Sequence, residues 1–235
     1  MFCKPLVEKA KNRMERWIAI RLLARPVVKT HGLLRSGTNY MQELLENNFY
    51  VVCPGSEEGG WKHGHCNYES ERKYIFLVKN PYAWLYSFRN WEIIHNRSLA
   101  KSLGEFATQL LSHTQLKKEW DLNTPVEAWN RALASWLSYC DRENTIFIRY
   151  EDLIHDVEAQ LVLIRDKFSI RARDEKFVNI HSRADTWDTP NPRKALEIEY
   201  YRHERYLEEF DEQTLAILRE QLDRSLLSKF NYQMY

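Results

Sequence analysis

The stretch from Val27 to Met41 leaves few folds open to this chain: Val-Val-Lys-Thr-His-Gly-Leu-Leu-Arg-Ser-Gly-Thr-Asn-Tyr-Met. A β-branched run follows Pro26, a loop bounded by Gly32 and Gly37 interrupts it, and a helical pattern resumes in Tyr40, Met41, Leu44, Leu45 and Phe49. Strand, glycine-bounded loop and helix in that order form a phosphate cradle. Glycine admits an anion close to the backbone and accepts positive φ. The first turn of the helix then offers unpaired N–H groups backed by the helix dipole.

The spacing Gly32-x-x-x-x-Gly37 has the outline of a Walker A loop, but Thr38 stands where that loop carries lysine. An NTP-hydrolysing loop uses the lysine on the β- and γ-phosphates, so its absence counts against a kinase or NTPase. A cation, Arg35, stands before the second glycine instead, and that glycine lies between hydroxyls at Ser36 and Thr38. Arg35 to Tyr40 resembles the 5′-phosphosulfate loop of the sulfotransferase family, which moves a sulfonate group from 3′-phosphoadenosine 5′-phosphosulfate (PAPS) to an acceptor. On that resemblance Arg35, Ser36, Gly37, Thr38, Asn39 and Tyr40 bind the co-substrate.

Two further stretches fit the resemblance in order. Lys73 to Pro81 has a near-continuous apolar centre, as in a buried parallel strand, and Asn80-Pro81 ends it and opens a helix. The family reads Arg-Asn-Pro at this place, with a serine eight residues after the arginine, and the two hold the 3′-phosphate. Lys79 and Ser87 have that interval, although lysine lacks arginine's bidentate fork. Thr145 to Leu153 is another strand-to-helix junction, similar to the family's Tyr-Glu-Asp-Leu signature. The resemblance makes Tyr150 an adenine contact. Adjacent Glu151 and Asp152 diverge at a helix start, so capping accounts for them better than a catalytic pair.

The candidate base lies in Trp61-Lys62-His63-Gly64-His65. If the segment is extended, Trp61, His63 and His65 share one face and Lys62 points to the other. The family places a lysine and a histidine base at the end of an early strand, separated by one residue. Here Lys62 and His63 are adjacent, so His63 and His65 are both candidates for the base. Two histidines two apart could also ligate a metal, but no third ligand stands out and no metal is expected. In the last third, Arg193 and Lys194 are similar to the family's late Arg-Lys-Gly loop, without the glycine.

Length and composition narrow the rest. At 235 residues with net charge +1, the chain suits one α/β domain and has no broad footprint for DNA or RNA. The expected architecture is a three-layer sandwich with a central parallel sheet and ligand beyond the carboxyl ends of its strands. Residues 1–235 read as a single sulfotransferase-like domain. Its N-terminal helix, Val7 to Ala24 within residues 1–25, is expected to pack on the domain, and peripheral membrane contact by that basic helix is the less favoured reading. A helical insertion over about 97–140 is expected near the acceptor site, with helices at Leu103 to Leu116 and Val126 to Tyr139. Further expectations are a short strand at Tyr50 to Cys53, one helix from Glu151 to Phe168 and two helices between Leu196 and Leu227. The four cysteines have no paired spacing, and no apolar run has the length of a membrane span or a signal-peptide core. A cytoplasmic protein with reduced thiols follows.

Two other functions remain open from the sequence: a P-loop nucleotide kinase and a catalytically silent nucleotide-binding module. The acceptor could be a sugar, a phenol, a lipid or a small metabolite.

Overall fold

The computed structural model describes Met14, Glu15, Ile18, Ile20 and residues 24–58, 60–95, 97–179 and 198–235. Three parallel strands form a sheet in the order β1-β2-β3: β1 (Val28–His31), β2 (Lys73–Val78) and β3 (Thr145–Arg149). In register, Val28 lies beside Lys73, and Val78 lies beside Arg149.

Side chains along β2 alternate between two cores, as the period of a strand requires. Tyr74, Phe76 and Val78 pack with α2 (Pro81–Ile94) and the helical segment α3 (Leu103–Thr108), α4 (Thr114–Trp120) and α5 (Pro125–Leu137). Ile75 and Leu77 face α1 (Thr38–Asn48), α6 (Tyr150–His155) and α7 (Val157–Phe168). Helices therefore cover both faces of the sheet, and the three-layer expectation holds. Phe76 is fully buried and its ring lies 4.9 Å from Phe147 and 5.9 Å from Trp136. Cutting it to alanine would cost about 3–5 kcal/mol.

Several local readings change for identifiable reasons. The segment expected as a strand at Tyr50 to Cys53 makes only a single bridge, Val27 to Val52. Tyr50 N–H turns away to Arg171 O, and Pro54 has no N–H to continue a ladder. The helix expected over Leu103 to Leu116 is two, because Gln109 is extended and Leu111 N–H leaves for Asn123 O. Asp156 divides the helix expected from Glu151 to Phe168: its backbone leaves the helical region and its Oδ1 caps Ala159 N–H. The C-terminal region holds α8 (Ile198–Arg202), a 3₁₀ turn (Arg205–Glu209), α9 (Glu212–Gln221) and α10 (Arg224–Lys229), with Asp211 and Asp223 capping the last two. Most of the N-terminal helix expected over Val7 to Ala24 lies outside the described residues. No helix among the described residues is long and apolar enough to cross a membrane.

Candidate functional site

All three strands release their chains at one edge of the sheet: β1 into the glycine loop, β2 into Lys79-Asn80 and β3 into Tyr150. At the β1 end the two glycines are obligatory. A Cβ on Gly32 would lie 2.6 Å from Ser36 Oγ and 2.7 Å from Leu77 O. Gly37 has φ +93°, and its Cβ would lie 2.7 Å from the Tyr150 ring. Ser36 directs both its N–H (3.1 Å) and its hydroxyl (2.6 Å) to Leu33 O, so this side chain shapes the loop. The first bond of α1 runs from Met41 N–H to Gly37 O, which leaves the N–H groups of Gly37 to Tyr40 outside the helix's own ladder.

The Trp61–His65 segment is a turn and not extended, closed by Gly64 N–H on Trp61 O. The turn is joined to the glycine loop. Gly32 N–H donates to Lys62 O at 3.0 Å, and His63 Nδ1 lies 2.6 Å from Gly32 O. Because a carbonyl only accepts, Nδ1 carries the proton and Nε2 keeps its lone pair. Burial first, then the Lys62 charge, hold the His63 imidazole down at about 3. The Lys62 ammonium donates to Asn39 Oδ1 at the start of α1. His65 points elsewhere: its exposed ring lies 4.0 Å from that of Trp120.

At the β2 end, Asn80 caps α2 through Tyr82 N–H, and Pro81 fills the first helical position, as the sequence implies. Lys79 is 3% exposed. Its ammonium lies 4.6 Å from the Tyr150 ring centre and 4.5 Å from that of Tyr201. It also lies 3.3 Å from the Tyr201 hydroxyl and 3.5 Å from Arg35 O, in the left-handed turn of the glycine loop (φ +68°). Glu151 stands behind the turn, with one oxygen on Asn80 N–H (3.0 Å) and the other on the Tyr232 hydroxyl (2.8 Å). Burial raises the Glu151 carboxyl. Ser87 is half-buried on α2. The Tyr40 hydroxyl donates to Asn179 Oδ1 at 2.8 Å, and burial pushes it up to about 12.

Comparisons with known proteins show the family and the fold. The model of the sulfotransferase domain matches residues 66–186, just over half of the chain. The chain belongs to the sulfotransferase family. The crystal structure of mouse sulfotransferase SULT7A1 complexed with PAP is similar over 87% of this chain and 84% of that one, with 16% identity and a TM-score of 0.54. That likeness shows the fold. The sulfotransferase domain from the curacin biosynthetic pathway matches 79% of this chain and 63% of its own at 14% identity, and its TM-score of 0.37 is too low to bear on the argument. No curated protein matches in sequence.

In this sulfotransferase the family match contains Lys79, Ser87 and Tyr150, whereas the glycine loop, Lys62, His63 and His65 precede it. The structure brings the loop, Lys62, His63, Lys79 and Tyr150 together at one edge. Arg193 and Lys194 lie outside the described residues. Two features were not read from the sequence. Tyr201 reaches Lys79 across 122 positions of chain. Four indole N–H groups also pin the loops of the site by their carbonyls: Trp84 on Leu34 (2.7 Å), Trp129 on Lys79 (2.9 Å), Trp120 on His63 (3.0 Å) and Trp136 on Gly64 (3.1 Å). All four rings pack in the core, and their polar edges also fix the site. A tryptophan abundance alone could not reveal which carbonyls they meet.

Proposed function

We propose that this enzyme transfers a sulfonate group from PAPS to a hydroxyl or amine of its acceptor by in-line displacement, with His63 as the general base. The observation that carries the reading is the joint between Gly32 and the Lys62–His63 turn. One hydrogen-bonded unit holds a phosphate loop, a cation and an imidazole whose free lone pair is Nε2. Nucleotide chemistry is supported by two glycines that leave no room for a Cβ, by a buried ammonium at Lys79, and by the fold likeness to a sulfotransferase complexed with PAP.

On this reading the free N–H groups at the start of α1 hold the 5′-phosphosulfate, with Ser36, Gly37, Thr38, Asn39 and Tyr40 forming the cradle. Nε2 of His63 takes the acceptor proton as the new bond to sulfur forms. The bond from sulfur to the bridging oxygen breaks, and 3′-phosphoadenosine 5′-phosphate (PAP) departs with the electron pair. Lys62 and Arg35 neutralise charge at the sulfonate and on the departing oxygen. Burial and Lys62 keep the resting imidazole neutral, and a bound phosphosulfate offsets the Lys62 repulsion, raising basicity when it is needed. Lys79 and Ser87 hold the 3′-phosphate, with Arg193 and Lys194 assigned to the same group, while Tyr40 and Tyr150 border the adenine. We assign His65 no catalytic role, because its ring lies against Trp120. The whole chain acts as one domain, with α3 to α5 on the acceptor side.

The test is turnover of sulfur-labelled PAPS with chelator present, against phenols, sugars, amines and lipid alcohols. Acceptor-dependent formation of PAP is expected. Phosphoryl transfer from Mg-ATP without PAPS turnover would contradict the proposal and indicate a nucleotide kinase.

A further inference from the structure

Lys79 presents a puzzle that its own side chain does not resolve. The ammonium is buried, yet among the described residues no carboxylate forms an ion pair with it. Glu151, the acid in its vicinity, has its oxygens on Asn80 N–H and Tyr232. Two tyrosine rings stabilise the charge instead, from 4.5 and 4.6 Å. Ring faces hold a cation without occupying its hydrogens, which leaves the ammonium able to donate to an anion. A single ammonium, however, offers a point charge and not the planar two-donor fork with which arginine grips a phosphate.

The hydroxyl of Tyr201 lies 3.3 Å from Lys79 Nζ. An ammonium can only donate, so the hydroxyl oxygen accepts from it and the hydroxyl hydrogen is available to a second acceptor. A hydroxyl polarised by a neighbouring cation is also a stronger donor. The Tyr201 ring is braced edge-on by Tyr150 at 5.5 Å and by Tyr200 at 5.5 Å. It also borders a cavity of about 320 Å³ lined by Asn80, Arg149, Glu151, Asp152, Arg202 and Glu204, while Lys79 lies outside that lining.

We propose that Tyr201 is a nucleotide-binding residue, whose hydroxyl acts with the Lys79 ammonium as a two-donor grip on the 3′-phosphate. The pair replaces the fork of a single arginine. This inference rests on the PAPS reading above.

Calorimetric titration of the parent, Tyr201→Phe and Lys79→Arg/Tyr201→Phe with PAP and with ADP tests it. Phenylalanine keeps the ring against Lys79 and removes only the hydroxyl. PAP affinity is expected to fall about tenfold in Tyr201→Phe, with ADP affinity unchanged. In the double variant, where arginine supplies its own fork, most of the PAP affinity should return. Parent-like PAP binding by Tyr201→Phe overturns the proposal, and so does an equal loss for ADP, which would mark a packing role. A parent that fails to bind PAP strikes the PAPS reading itself, a result distinguishable from either of these.

Discussion

The two ends of the site are built from different materials. At the β1 end, position is fixed by directional polar bonds: Gly32 to Lys62, His63 to Gly32, Lys62 to Asn39, with Trp120 and Trp136 N–H groups holding the turn from behind. At the β2–β3 end, a charge is held by ring faces, and the Glu151 carboxylate below it ties Asn80 N–H to the Tyr232 hydroxyl. Hydrogen bonds fix an angle, which a base needs for its lone pair to meet one proton. Ring faces hold a cation without fixing its direction, which suits gripping a phosphate. The two ends should therefore fail differently, one in turnover and the other in nucleotide affinity.

The largest effect expected is at the polar end. His63→Asn should lower turnover by about two or more orders of magnitude while PAP affinity stays within a few-fold, and His65→Ala should keep near-parental turnover. Steady-state kinetics with PAPS and calorimetry with PAP separate these; loss of activity in His65→Ala with retention in His63→Asn would reverse the assignment of the base. At the point where the ends meet, Gly37→Ala combines a left-handed backbone with a clash into Tyr150. A loss of about 2–4 kcal/mol in denaturant unfolding is expected, together with loss of nucleotide binding.

The pH dependence of stability sharpens the contrast. His31, fully buried at the end of β1 and stacked on Phe76 at 5.6 Å, is held down at about 3 by burial and then by Lys29. Neither of its ring nitrogens makes a hydrogen bond of good geometry, although the Gly64 backbone opposes the shift weakly. Both His31 and His63 are thus lowered from 6.5 to about 3 in the folded chain. The unfolded chain binds the extra protons, so their contribution is complete above about pH 6.5 and is lost as pH falls toward 3. Each adds a slope of up to about 1.4 kcal/mol per pH unit. His31→Phe should remove one of the two slopes in unfolding curves taken from pH 7 to 4; an unaltered slope would show that His31 takes no part. The smallest effect is expected from Trp120→Phe, which removes the N–H on His63 O. About 1 kcal/mol of stability should go, with a fall in kcat larger than any rise in KM. A change confined to KM for PAPS would place Trp120 with the nucleotide end.

Much of the architecture at the strand ends was legible because its signals are local. Gly32 and Gly37 bound a loop that only glycines permit, and Asn80-Pro81 announces the start of α2 after an unbroken apolar strand. The alternation of strands and helices likewise gave the layered sheet. What the sequence concealed depends on distant contacts. The Trp61–His65 segment turns because Gly64 closes it on Trp61 O and meets Glu119, which no pattern of alternation reveals. Tyr201 joins Lys79 from the far end of the chain, and each pinning tryptophan finds a carbonyl on another element. Helix breaks at Gln109 and Asp156 followed from single backbone and capping bonds that compete with a continuous apolar pattern.

The most direct measurement is calorimetric titration of the whole chain with PAP beside ADP and ATP, all without magnesium. Tight binding of PAP and weak binding of ADP are expected, the difference arising at Lys79. Equal affinity for PAP and ADP, or binding that appears only with Mg-ATP, would contradict the PAPS reading.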